Sequence, residues 1–88
     1  MDNIAEVKQA IKEGNAVIGL QRTLKLLKQK KIKKIFLASN TAKLTKEDIA
    51  HYSKLANVTV ADLELKNEDL GTICKKPFSI SVISVRSE

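Results

Sequence analysis

The sequence predicts an α/β protein: a single-domain three-layer α/β/α sandwich with a four-stranded mixed sheet. Three observations predict it. Segments with apolar residues at helical spacing alternate with short strand-like runs, in the order αβαβαβαβ. One of those runs, Ile35-Phe36-Leu37-Ala38, is apolar at every position, as a central strand covered on both faces requires. The chain has 88 residues, enough for one hydrophobic core and too few for two, so residues 1–88 are expected to form one domain.

The first helix is capped by Asp2 or Asn3 and buries Ile4, Val7, Ala10 and Ile11 along one stripe. Gly14 ends it. Asn15 to Ile18 reads as a short strand, and Gly19 breaks it before a second helix running to about Lys30, with Leu20, Thr23, Leu24 and Leu27 on one face. The second strand is expected from Lys34 to about Ser39. After the loop Asn40 to Leu44, Thr45 and Asp48 resemble a capping box for a third helix, whose buried stripe is Ile49, Tyr52, Leu55 and Ala56. Val58 to Leu63 follows as the third strand. The polar stretch Glu64 to Asp69 leads to a short helix from Leu70 to Cys74, and Pro77 marks a turn before the last strand, Phe78 to Val85. Strands separated by helices imply crossover connections, hence a mostly parallel or mixed sheet between two helical layers.

Hydrophobic residues make up 43% and charged residues 30%, a balance that folds in water and excludes compositional disorder. The N-terminus is charged through its first turns, and no apolar run nears the roughly 20 residues a bilayer span requires. Neither secretion nor membrane insertion is expected, and the cytoplasm is the default. Cys74 is the single cysteine, so an intramolecular disulfide and a multi-cysteine zinc site are both excluded.

Sixteen Lys and Arg against ten Asp and Glu give a net charge of +6, which points to a polyanionic partner. The charge is local. No acid occurs between Glu13 and Glu47, whereas Arg22, Lys25, Lys28, Lys30, Lys31, Lys33, Lys34, Lys43 and Lys46 fall in that stretch. On the second helix Gln21, Arg22, Lys25, Lys28 and Gln29 share one arc opposite the apolar stripe. An amphipathic helix commonly leaves such a face solvated. A solvated face, however, usually mixes signs for i, i+4 pairing, and this one carries donors only. Gly19, just before the helix, permits close approach of another backbone and leaves the first N–H groups as an anion site, or serves only the strand-to-helix turn. The run Lys30-Lys31-Ile32-Lys33-Lys34 is expected to be exposed.

Catalysis has little to work with. His51 is the only imidazole and lies off its helix's apolar stripe, and Cys74 lacks an activating neighbour, so a surface histidine and a buried structural thiol are expected. No phosphate-binding glycine loop or metalloprotease motif occurs; an enzyme, a cofactor and a metal site are not expected. Aromatic residues are too scarce to stack successive bases of a single strand. Phe36 and Tyr52 are assigned to the core. Phe78, beside Lys75-Lys76-Pro77, either caps one unstacked base or starts the core of its strand. These limits favour folded RNA, read through its backbone, a few base edges and one flipped-out base.

The segments GLQRTLKLLKQKKIKKIFLASNTAKLTKEDIAHYSKL and NEDLGTICKKPFSISVISV resemble the kink-turn RNA-binding ribosomal protein superfamily of the L-seven-A-e and L-thirty-e type. The resemblance covers nearly the whole chain. Gly19, Thr23 and Lys25, the Ser39-Asn40-Thr41 loop, and Leu70-Gly71-Thr72 carry it, closest to the L-thirty-e branch. It implies a protein that sets the start of its second helix into a kink-turn beside the tandem G·A pairs. Contacts are implied for Gly19, Gln21, Arg22 and Lys25 at that helix, Asn40 after the second strand, and Phe78 before the last. Lys28 joins them as a phosphate ligand on the same helical arc.

The chain departs from the family at two places. Gln21-Arg22 stands where the L-seven-A-e branch has Asn-Glu, so the acid that accepts from guanine is missing, and Arg22 is expected on phosphate or a guanine O6/N7 edge. Ser79 replaces a basic residue common in the L-thirty-e branch. The expected role is a ribosomal protein of the large subunit, monomeric outside its complex with structured ribosomal RNA. Alternatives are a kink-turn-binding paralogue outside the ribosome, or an adaptor whose basic face docks an acidic protein.

Overall fold

Alternation along two strands builds the layers. In β2 (Ile32–Leu37), Ile35 and Leu37 point to one side of the sheet and Phe36 to the other, followed by Ala38; in β4 (Val82–Arg86), Val82 and Ile83 divide the same way. The structure, a computed structural model, describes residues 3–87; Asp2, one of the two expected caps of the first helix, lies outside them. The remaining elements are α1 (Asn3–Glu13), β1 (Ala16–Ile18), α2 (Leu20–Lys28), α3 (Lys43–Ala56), β3 (Thr59–Asp62) and α4 (Asn67–Ile73).

The sheet order is β1-β4-β2-β3, with β2 and β3 parallel and β4 antiparallel to both β1 and β2. It is the mixed sheet expected. On one face Leu27 of α2 and Ile49 of α3 pack on Ile32, Ile35, Leu37 and Val82. On the other, Val7 of α1 and Leu70 of α4 pack with Cys74 on Phe36, Ala38 and Ile83. Each apolar side chain buried in these clusters contributes about 1.5–3 kcal/mol. Lys34 leaves the acid-free stretch's surface and pairs with Glu6 of α1 at 3.1 Å, its ammonium also 5.1 Å from the Phe36 ring centre. Among the described residues no helix is long and apolar enough to cross a membrane.

Several boundaries differ from expectation for local physical reasons. β2 begins at Ile32 rather than Lys34, because a register irregularity between Ile32 and Lys34 lets buried Ile32 pair with Arg86, and it ends at Leu37, beyond which the Ser39 N–H turns to the Leu65 carbonyl. α2 ends at Lys28; Lys30 (φ 59°) turns the chain, and the Lys31 N–H returns to the Leu26 carbonyl at 2.9 Å. α3 starts at Lys43 with Ala42 as N-cap and no side-chain cap, so Thr45 and Asp48 form no capping box. The Thr41 hydroxyl, bonded to the Ala38 and Ser81 carbonyls, ends the loop early. On α3 the buried partner of Ile49 is Ser53, which donates to the Ala50 carbonyl, whereas Leu55 is exposed and Tyr52 half-buried. α4 begins at Asn67 rather than Leu70, and β4 begins at Val82, which leaves Phe78 in a loop.

Candidate nucleic-acid interface

Strand direction gathers the expected contact residues. Ile18, Leu37 and Asp62 end β1, β2 and β3 at the same edge of the sheet where Val82 begins β4: Ile18 pairs with Ile83, Leu37 with Val82, and Leu37 with Asp62. That edge therefore carries the start of α2, the loop leading into α3, the segment before α4 and the loop before β4. Backbone bonds knit them together. The Gly19 N–H donates to the Val82 carbonyl (3.1 Å), Ala38 N–H to Ser81 carbonyl (2.9 Å), and Ser39 N–H to Leu65 carbonyl (2.7 Å).

Gly19 has φ 107° and ψ 152°, a conformation essentially confined to glycine, and an added Cβ there would meet nothing within 4 Å. The backbone needs glycine while the space outside stays open. Since the Gly19 N–H points inward to Val82, the groups available to a phosphate are the N–H groups of the first helical turn, which lack intrahelical acceptors and have no side-chain cap. Gln21, Arg22 and Lys25 are all exposed on this helix. Arg22 and Lys25 line a shallow groove with Gln29, Arg86 and the edge strand residues Ala16 and Val17.

Asn40 is exposed in the adjoining loop and is held by Asn67: its Oδ1 accepts the Asn67 N–H at 2.8 Å, and its Nδ2 donates to Asn67 Oδ1 at 3.0 Å. Phe78 is 55% exposed, outside both core clusters. Phe78 therefore does not start the core of the last strand, and its ring is accessible. Its loop is fixed from below. A Cβ on Gly71 would collide with the Phe78 carbonyl, and the Gly71 carbonyl accepts the Lys76 N–H at 3.0 Å.

Lys28 stands apart from this group. It is the last residue of α2, about 12 Å along the axis from Leu20, and its ammonium sits 5.1 Å from the Tyr52 ring centre on α3. Lys30 and Lys31 follow at the same far end. The acid-free stretch is therefore divided between two ends of the molecule and the Glu6 pair. Two cations that the sequence reading left out of the site enter it instead: Lys43 and Lys46 occupy the first turn of α3, which holds no acid and starts at the converging edge. Positive charge there opposes the helix dipole, and that is the sequence signal that could have found them. Glu68 and Asp69 in the first turn of α4 make the flank electrostatically mixed.

The two candidate reactive side chains lie elsewhere. His51 is exposed, its ring edge-on to Tyr52 at 5.2 Å between centres. Cys74 is buried, and desolvation pushes its thiol above the ordinary value, against a smaller lowering by Lys76.

An α/β/α sandwich that brings a glycine-opened helix start and two flanking loops, one bearing an exposed aromatic ring, to one sheet edge defines a class of small binding protein. Sequence comparison gives its family. The profile described as the ribosomal protein L7Ae/L30e/S12e/Gadd45 family matches residues 2–88, and the chain belongs to it. It is 41% identical over 83 residues to the large ribosomal subunit protein eL30 of Saccharolobus solfataricus, covering 94% of this chain and 77% of that one. The eL30 protein of Methanocaldococcus jannaschii is 33% identical over 88 residues, covering 100% and 80%. In three dimensions the chain superposes on a Giardia lamblia 15.5 kD RNA-binding protein with TM-score 0.81 at 15% identity, covering 100% of this chain and 78% of that one, a likeness of fold.

Proposed function

We propose that this chain is a non-catalytic RNA-binding protein of the large ribosomal subunit, which recognises and stabilises a kink-turn or similar internal loop in ribosomal RNA. The observation that carries the reading is the convergence of Gly19 and the α2 start, Asn40 and Phe78 at one edge of the sheet, in a chain whose relatives are named large ribosomal subunit proteins. Arg22 and Lys25 neutralise phosphates, the α2 start and Asn40 set the register, and the Phe78 ring stacks on one extruded base. Its work is binding energy spent on holding a bent RNA, in the cytoplasm and on the ribosome, with no cofactor. The test compares a kink-turn RNA with a straight duplex of equal length across salt concentrations. The kink-turn is expected to bind more tightly throughout; equal affinities would remove the claim of specific recognition.

One observation favours an additional partner. At the far ends of α2 and α3, Leu27, Tyr52, Leu55 and Ala56 floor a groove of about 270 Å³ rimmed by Lys28 and Lys30. A phosphate backbone gains little from an apolar floor, whereas an acidic peptide with apolar side chains gains from both floor and rim.

A further inference from the structure

We infer that Asn67 is a positioning residue that orients the amide of Asn40 and joins the Asn40 and Phe78 loops into one recognition unit. This rests on the RNA-binding reading above. Three hydrogen bonds meet at Asn67. Its N–H donates to Asn40 Oδ1, its Oδ1 accepts from Asn40 Nδ2, and its carbonyl accepts the Ile80 N–H at 2.9 Å, two residues beyond Phe78.

The first of these bonds selects the orientation, and the second, to the Asn67 side chain, holds it. A backbone N–H can only donate, so the oxygen of the Asn40 amide must face it; a flipped amide would set donor against donor. Both Asn40 bonds run to the same residue, so Asn67 occupies the side of the amide where oxygen and N–H lie together. That side is the one with which asparagine reads adenine N6 and N7 in a bidentate pair. It is already taken. What Asn40 still offers an RNA, beside the second lone pair of its Oδ1, is its other N–H, one donor suited to one acceptor such as guanine O6 or N7. The pair thus turns a residue of ambiguous hydrogen-bonding character into a donor of set direction. The same residue anchors the chain that carries the Phe78 ring, so the donor and the ring keep a constant spacing.

The experiment uses the full chain and a kink-turn RNA containing tandem G·A pairs. Dissociation constants are measured for wild type, Asn40→Ala, Asn67→Ala, Arg22→Ala and the double variants of Asn67→Ala with each of the other two. Asn67→Ala is expected to weaken binding about tenfold, to add almost nothing in the Asn40→Ala background, and to act independently of Arg22→Ala. Equal losses in the Asn40→Ala and wild-type backgrounds would overturn the inference, as would wild-type affinity in Asn67→Ala. The free wild-type protein supplies a readout that needs no variant: the Asn40 side-chain amide protons should show a nuclear Overhauser contact with the Asn67 amide and slow exchange with water. Solvent-averaged signals there would also overturn it. A wild-type protein that bound straight duplex as tightly as the kink-turn would overturn both this inference and the functional reading; preference for the kink-turn with an inert Asn67 would overturn this one alone.

Discussion

The hydroxyls of Thr23 and Ser84 lie 3.0 Å apart, both fully buried, between α2 and β4. Ser84 Oγ is also 3.4 Å from the Val17 carbonyl, so its proton points to β1 and the Thr23 hydroxyl donates to Ser84. This short chain ties α2 to two strands and fixes its rotation about its own axis. With Thr23 turned fully inward, Gln21, Arg22 and Lys25 are turned out. Thr23→Val keeps the shape and leaves the Ser84 oxygen without its donor, which should cost about 1–3 kcal/mol of stability. Adding Ser84→Ala should recover part of that loss. Urea unfolding of the two single variants and the double variant checks both expectations.

How much of this could be read beforehand depended on the range of the interactions. The alternation in Ile35-Phe36-Leu37-Ala38 and the Leu20, Thr23, Leu24, Leu27 stripe are local patterns, and both layers followed from them. The ends of β2 did not, because the irregularity at Lys33 hides Ile32 from a period-two reading. Phe78 to Ser81 looks like strand in isolation; the Gly71 surface of α4, which packs on the Phe78 carbonyl, holds it as a loop. Asn67 went unnoticed because its partner Asn40 is 27 residues away and only the strand order brings them together. Lys28 shared a helical arc with Arg22 and Lys25, but the arc says nothing of distance along the axis, nor of the Tyr52 ring that holds its ammonium.

That separation predicts a split in salt dependence. Arg22→Ala and Lys25→Ala should each reduce the slope of log K against log salt for the kink-turn RNA by about 0.7 to 0.9, the release expected for one phosphate contact. Lys28→Ala should leave the slope unchanged. Its cost should appear instead in folding stability, about 0.5–1 kcal/mol for an exposed cation over a ring. Binding titrations at four salt concentrations, with a thermal melt of each variant, separate the two effects.

The Phe78 loop makes opposite predictions for its ring and its support. Because the ring is 55% exposed, Phe78→Ala should barely alter the melting temperature while weakening RNA binding by about 1–3 kcal/mol, the value of one base–aromatic stack. Gly71→Ala should do both kinds of damage. Its methyl group would be forced against the Phe78 carbonyl, so either α4 shifts or the loop does, at about 1–3 kcal/mol for an overpacked site. Melting curves and dissociation constants measured on the same samples test the contrast.

Cys74 should be inert in the native state and a liability at high pH. Its side chain sits among Val7, Leu70 and Ile80 in the α1/α4 layer, and burial raises the thiol pKa above its ordinary value, with Lys76 opposing more weakly. Alkylation requires the thiolate, so iodoacetamide at pH 8 should label the folded protein far more slowly than the protein in urea. The same shift has a sign for stability. The folded pKa lies above the unfolded one, so the folded state binds more protons once the pH exceeds the free-thiol value of about 8.5, and stability falls from there as the pH rises through the folded pKa. Below that value both states hold the proton and Cys74 contributes no slope. Cys74→Ala should remove this contribution to the alkaline decline while lowering stability at neutral pH through the cavity it leaves. Urea midpoints for both proteins between pH 7 and pH 10 should therefore converge as the pH rises; parallel curves would mean that the thiol ionises as readily in the fold as in the unfolded chain.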